Sequence, residues 1–384
     1  MKVFSLVLCL MILLSGCTPA DHEPATAPTE VPETTSEPET LPPETIPPDP
    51  IRDMIDAMSL EERVGQLFLA RCDDSTAQEH IQQYHLGGFV LFARDFRNET
   101  PGDSAQQKIS QYQNTAKIPL LIATDEEGGT VTRVSSYSYY RQNRFASPRQ
   151  LYNGGGMDWV LYEEAEKCVL LSSLGVNVNL GPVCDISTDP NAFMYDRSLG
   201  QDAATTSDFA ARMVSLMDSY SIGSCLKHFP GYGNNADTHT GIAVDTRSLR
   251  ELEENDLLPF AAGIRAGCGA ILVSHTIVNA LDPEYPASLS PAVHDYMRNT
   301  LGFQGVIITD DLVMEAITDV YGAAEAAVLA VLAGNDLLCS TEYVTQYEAV
   351  LAAVMEGRID IDTLNRAVRN VLEWKQQLGL ILVG

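Results

Sequence analysis

From residue 51 onward, short apolar runs alternate with longer stretches of helical periodicity. The runs at 66–69, 88–92, 120–124, 176–180, 224–226, 270–273, 306–309 and 335–338 read as strands. Between them, Phe209, Met213, Leu216, Met217 and Tyr220 fall on one face at helical spacing. Ser59 followed by Glu62 predicts a capping box, and Ser290-Pro291 predicts a helix start that Gly302 stops after Leu301. Eight alternating units of this kind predict an α/β fold, a (β/α)8 TIM barrel. A doubly wound open sheet is the competing architecture.

The polar residues favour the barrel. Its chemistry gathers where strands end at their C-terminal face. Those ends read Thr124-Asp125-Glu126-Glu127-Gly128-Gly129, Leu226-Lys227-His228-Phe229-Pro230-Gly231, Ser274-His275 and Thr309-Asp310-Asp311. Charged residues or histidines follow apolar strands in every one of these segments, which suggests one shared site.

The N-terminus has a different pattern. Lys2, an apolar run over 3–14 and then Leu14-Ser15-Gly16-Cys17 resemble an exported lipoprotein signal. On that reading residues 1–16 are removed and Cys17 carries the lipid; ordinary signal cleavage, with Cys17 a stray thiol, is the alternative. No other stretch is long and apolar enough to cross a bilayer. Residues 18–50 consist largely of Pro, Thr, Glu, Ala and Ser, without Lys, Arg or an aromatic residue. Such a segment buries too little apolar surface to offset the entropy of ordering it. Residues 17–50 therefore read as a lipidated tether, and 51–384 as a single folded domain held outside the cytoplasmic membrane.

The formal net charge of −28 argues against a nucleic-acid partner and suits a solvated extracellular surface. No CxxC or Cys/His metal spacing occurs, so no metal and no organic cofactor are expected. Several of Cys72, Cys168, Cys184, Cys225, Cys268 and Cys339 sit in apolar runs and read as buried thiols, although spacing leaves their pairing open.

The same strand ends carry a family likeness. Lys227-His228-Phe229-Pro230-Gly231 is followed by Asp237-Thr238-His239, and Val306 to Met314 contains Thr309-Asp310-Asp311. Asp125-Glu126-Glu127-Gly128-Gly129 precedes Arg133, and Asp196-Arg197-Ser198-Leu199-Gly200 and His275 add weaker support. In this order they resemble glycoside hydrolase family 3, and specifically its β-N-acetylglucosaminidase branch, over residues 51–378. The resemblance implies that Asp310 is the nucleophile of a retaining reaction, in which a second group protonates the leaving oxygen. It implies that the Asp237/His239 pair supplies that acid/base. Histidine suits the task because its pKa is about 6.5, and Asp237 would fix its tautomer. Asp125, Arg133, Arg197, Lys227 and His228 would hold the sugar's hydroxyls or N-acetyl group, with His275 a weaker candidate. Asp311 is the rival nucleophile. Successive strand residues face opposite sides, so only one of the two should face the barrel axis. The motif match selects Asp310 and leaves Asp311 a capping role.

The likeness implies removal of terminal β-linked N-acetylglucosamine, from peptidoglycan fragments or chitooligosaccharides, by a monomer. Gly231, Gly233 and Gly241 predict a loop able to move His239 toward substrate. Tyr232 and the positions after it depart from the family's His-Gly-Asp run, and Thr130 stands where relatives often carry Arg; both bear on aglycone recognition. A β-glucosidase or β-xylosidase of the same family is one rival. Those take their acid/base from a second domain, for which the residues after Leu378 leave no room. A phosphorylase is another, because a neutral imidazole repels phosphate less than a carboxylate does. A lipid-anchored sugar-binding protein without catalysis is the third.

Overall fold

Ser59 sets the entry to the fold. Its hydroxyl accepts a hydrogen bond from the Glu62 amide at 3.2 Å, and Glu62 Oε2 accepts from the Ser59 amide at 2.9 Å, closing the expected capping box. The computed structural model describes residues 48–71, 73–97, 104–235 and 241–382. The signal, Cys17, nearly all of the tether, Cys72, Asp237 and His239 lie outside the described residues. Asp49 already belongs to the folded unit, slightly before the expected start at Ile51. It caps the helix Pro50–Asp56 by accepting from the Arg52 amide and pairs with Arg369 at 2.7 Å.

The strands are β1 (Phe68–Arg71), β2 (Gly88–Leu91), β3 (Leu121–Thr124), β4 (Val178–Asn179), β5 (Gly223–Phe229), β6 (Val244–Asp245), β7 (Ala270–Val273), β8 (Ile277–Val278), β9 (Val306–Thr309) and β10 (Leu338–Ser340). Eight of them form one parallel sheet in the order β10-β1-β2-β3-β4-β5-β7-β9. A parallel bridge between Ile308 and Leu337 joins the two ends, with the Thr309 amide donating to the Leu337 carbonyl at 3.1 Å. The sheet is therefore a barrel, as expected, and the open doubly wound alternative fails. Strands β6 and β8, which the apolar pattern does not signal, pair apart from the barrel.

Alternation along each strand divides the core in two. Leu69, Val90, Leu121, Ala123, Val178, Cys225, Leu272, Val306, Ile308 and Cys339 pack together inside the barrel. Their neighbours Phe68, Ala70, Phe89, Leu91 and Ile122 face outward under the helices, as do Leu226, Ile271, Val273 and Ile307 on the other side. Trp374, on the helix Ile361–Gln377, joins the inner set. It presses so closely on Gly269 that a Cβ there would lie 2.0 Å from its Nε1.

The surrounding helices follow the sequence signals in most places. In Ala203–Ser219, Phe209, Met213 and Met217 are buried. Tyr220, expected on the same face, instead lies one residue past the helix end and is 38% exposed. Ser290 caps Pro291–Asp295 through the Val293 amide, and Gly302, at φ 72°, follows the π-helical turn Tyr296–Thr300. Cys168, Cys184, Cys225, Cys268 and Cys339 are free and buried. Among the described residues no single helix is long and apolar enough to cross a membrane.

Candidate active site

The inward phase of the strands continues into the loops beyond them. Counting by twos from Leu69, Val90, Ala123, Cys225 and Ile308 leads to Arg71, Phe92, Asp125, Lys227 and Asp310. These five residues border a cleft of about 680 Å³ at the C-terminal mouth of the barrel. Arg133, Arg197, His228, Tyr232 and Asp311 border it as well.

A dense ion-pair network forms one wall. Lys227 Nζ lies 2.7 Å from Asp125 Oδ1 and 2.6 Å from Glu127 Oε1. Arg197 grips Glu127 with two bonds, Nε to Oε2 at 2.9 Å and Nη2 to Oε1 at 2.7 Å. This bidentate geometry fixes both planes. Arg133 Nη2 reaches Asp125 Oδ2 at 3.4 Å. Burial alone would raise the Glu127 carboxyl's pKa, but the Arg197 and Lys227 charges outweigh it and hold it well below the usual range. The same contest at Asp125 ends below the ordinary value, with Lys227 and then Arg133 opposing burial. Lys227 is shifted upward: burial opposes its charge, while Asp125 and Glu127 favour it.

His228 completes the network. Its Nδ1 lies 2.8 Å from Asp185 Oδ2, and its Nε2 lies 3.2 Å from Arg197 Nη2. A guanidinium can only donate, so Nε2 accepts and the ring proton sits on Nδ1, donating to Asp185. Asp185 also accepts the backbone amides of His228 and Tyr232, at 3.1 and 2.7 Å. It therefore holds the imidazole's orientation and tautomer from behind.

The opposite wall carries Asp310 and Asp311. Asp310 Oδ1 accepts from the Asp311 amide at 2.9 Å, and the Asp310 amide donates to the Val273 carbonyl at 3.0 Å. Asp310 and Asp311 are both among the residues bordering the cleft. The strand ends at Thr309, and Asp310 continues the inward phase of Ile308. The two residues nevertheless differ in their bonds. Asp311 Oδ1 accepts from the Val313 and Thr341 amides, both at 3.2 Å, and its Oδ2 accepts from Thr341 Oγ1 at 2.6 Å. Asp311 thus ties the turn after β9 to the turn after β10. Burial raises its pKa despite these bonds.

His275 departs from the expectation of a sugar contact. It continues the outward phase of Ile271 and Val273 and is fully buried. Its Nδ1 lies 2.7 Å from Ser288 Oγ and its Nε2 lies 3.0 Å from the Asp311 carbonyl. The ring supports the Asp310–Asp311 turn from behind and is not among the residues bordering the cleft.

Residues 59–374 match the Glycosyl hydrolase family 3 N terminal domain. The chain belongs to glycoside hydrolase family 3. It is similar to a beta-hexosaminidase of Nitrosomonas eutropha, 32% identical over 304 residues, which cover 74% of this chain and 84% of that protein. A beta-hexosaminidase of Xylella fastidiosa is 33% identical over 319 residues, covering 79% and 90% respectively. Among solved structures, a family 3 beta-N-acetylglucosaminidase from Paenibacillus sp. superposes with a TM-score of 0.78 at 31% identity. That match covers 84% of this chain and 63% of the longer Paenibacillus chain.

In this family 3 hydrolase the structure brings Asp125, Arg133, Arg197, Lys227, His228 and Asp310 together around one cleft. Sequence reasoning passed over three residues there. Glu127, quoted only as part of a motif, is the hub of the ion pairs. Asp185 lies beyond the run that contains β4, separated from it by Gly181-Pro182-Val183-Cys184, whereas Asp125 and Asp310 directly follow theirs, so the strand-end pattern does not single it out. Arg71 ends β1 in the inward phase, a signal visible only once the register is known.

Proposed function

We propose that this family 3 hydrolase is a retaining β-N-acetylhexosaminidase that removes terminal β-linked N-acetylglucosamine. The observation that carries the reading is Asp310 on one wall of the cleft, opposite a charged network suited to orienting a polar ring. The beta-hexosaminidase relatives support the choice of an N-acetylated sugar.

In the proposed reaction an Asp310 oxygen bonds to the anomeric carbon as the bond from that carbon to the leaving oxygen breaks. His239 gives the leaving oxygen its proton. Water then adds to the same carbon, the Asp310 ester bond breaks, and His239 recovers a proton from the water. Asp237 favours the charged imidazole formed in that second step. The ion pairs let Asp125, Arg133 and Lys227 meet the hydroxyls in fixed positions, with little reorganisation in the transition state. No metal or organic cofactor has a part in this scheme.

With Cys17 lipidated, the enzyme would act as a monomer outside the cytoplasmic membrane, and peptidoglycan fragments would be its first substrate, with chitooligosaccharides next. Hydrolysis of p-nitrophenyl β-N-acetylglucosaminide and of the β-glucoside, with and without phosphate, tests the reading. Strong preference for the N-acetylated substrate, with free sugar as product, is expected. Sugar phosphate as the main product would make the enzyme a phosphorylase, and no turnover of either glycoside would contradict the hydrolase reading.

A further inference from the structure

One guanidinium ties together the two ends of the segment that carries Asp237 and His239. Asp237 lies six residues past Gly231, and His239 lies six before Asp245. At the first end, Arg247 Nη2 donates to the Gly231 carbonyl at 3.0 Å. At the second, Arg247 Nε and Nη2 donate to Asp245 Oδ2 at 3.0 and 2.6 Å, and the Arg247 amide donates to Asp245 Oδ1 at 2.9 Å. Arg247 Nη1 donates to Asp256 Oδ2 at 2.7 Å, which fixes the guanidinium to the residue before the helix Leu257–Arg265. The Asp245 and Asp256 side chains are only 1% and 4% exposed, so these charge-assisted bonds are shielded from water.

The chain is cut to fit this clamp. Gly231 and Gly233 both have positive φ, 116° and 55°. A Cβ on Gly231 would lie 2.8 Å from Asp256 Cβ, and one on Gly233 would lie 2.7 Å from Arg247 Nη1. Both glycines therefore let the backbone close on the ion pairs, besides turning the chain. The second end is held twice. Strand β6 pairs with β8, the Ile277 amide donates to the Ala243 carbonyl at 2.9 Å, and the Asn279 amide donates to the Asp245 carbonyl at 3.0 Å. Arg247 and Asp256 are not among the residues bordering the cleft, so any part they take in the reaction passes through the segment they hold.

We propose that Arg247 is a positioning residue for the acid/base: by fixing both ends of the segment it sets where His239 meets the leaving oxygen. This rests on the reading of Asp237 and His239 as the acid/base pair. Tying both ends to one rigid fork narrows the positions open to the chain between them. Proton transfer needs heavy atoms within about 3.2 Å, so a wider spread of positions impairs protonation before it impairs sugar binding. Arginine suits the task because its planar fork sends donors to Gly231, Asp245 and Asp256 at once, whereas a lysine offers a single point charge.

The test separates protonation of the leaving group from attack on the sugar. It measures kcat/KM, which reports formation of the glycosyl enzyme, for aryl β-N-acetylglucosaminides. The series runs from 2,4-dinitrophenyl, whose leaving oxygen needs no proton, to phenyl, whose leaving oxygen does. His239→Ala is the reference for a lost acid. Arg247→Met should lower kcat/KM about 10–100-fold for the phenyl glycoside and less than about threefold for the dinitrophenyl glycoside. Arg247→Lys, which keeps the charge and loses the fork, should steepen the series in the same direction. Should Arg247→Met fold poorly, Gly233→Ala displaces the fork while keeping every charge, and the same steepening is expected. Equal losses across the series in variants of unchanged melting temperature, or a series no steeper than that of the wild type, would overturn the proposal. If His239→Ala itself leaves the series unchanged, the acid/base reading fails and the proposal with it. If His239→Ala steepens the series and the Arg247 and Gly233 variants do not, only the positioning role fails.

Discussion

Glu127 and Lys227 form an ion pair at 2.6 Å with both side chains only 2% exposed. The pair ties the loop after β3 to β5, and Arg197 closes it from a third segment. Removing one partner leaves the others charged and buried, at a cost of about 3–5 kcal/mol. Glu127→Gln should therefore lower stability strongly at neutral pH. The carboxyl's folded pKa lies below its ordinary 4.5, so its stabilising contribution is present above that value and lost as pH falls. Urea unfolding at pH 7 and pH 4 should show the variant both weaker and less acid-sensitive than the wild type.

Asp185 touches no solvent and acts through His228. Asp185→Asn can present an N–H to Nδ1 and so favour the other tautomer, which disturbs the bond from Arg197 to Nε2. By analogy with partners that orient metal-bound histidines, kcat/KM should fall about 10–100-fold. NMR of the imidazole nitrogens should show the Nδ1–H form in the wild type and its loss in the variant.

Asp310 and Asp311 are neighbours with separate work. Asp311→Ala removes the acceptors for Val313 and Thr341, so the turn that carries Asp310 shifts. Small misplacements of a reacting group lower rates by up to about 100-fold. Steady-state kcat should fall within that range for Asp311→Ala, and by about 10⁴-fold or more for Asp310→Asn. Equal losses in both would contradict this division.

Lys375 is fully buried on the helix Ile361–Gln377, and its Nζ donates to Gln66 Oε1 at 2.7 Å. Burial pulls its pKa down from 10.5 to about 7. Between those values the unfolded chain binds more protons than the folded one, so stability rises with pH across that window and levels off below pH 7. Lys375→Met should raise the melting temperature at neutral pH and flatten its rise between pH 7 and 10. Thermal scans across that range check both effects.

Much of the barrel was legible because its strands are buried on both faces and read as unbroken apolar runs. Register was less so. The first strand begins at Phe68, not at Gln66, because the Gln66 amide still donates to Glu62 as the preceding helix ends. The last begins at Leu338, not at Asn335, because the Asn335 side chain caps Ala330 and Ser288, and Asp336 accepts from the Ile307 amide. The strand order could not reveal which residues face inward, since continuous apolar runs hide alternation. That is why the sequence does not separate a packed His275 from a cleft residue and gives no local signal for Arg71. The charged strand ends were visible, but their partners were not: Glu127 meets Arg197 across a separation no local pattern records.

Trapping the covalent intermediate is the most direct test of the proposed mechanism. The protein is incubated with a slow fluorosugar analogue of β-N-acetylglucosaminide, digested and examined by mass spectrometry. One glycosyl unit on the peptide carrying Asp310, absent in Asp310→Asn, is the expected result. Label on Asp311 or another residue, or activity in Asp310→Asn comparable with the wild type, would contradict the assignment of the nucleophile.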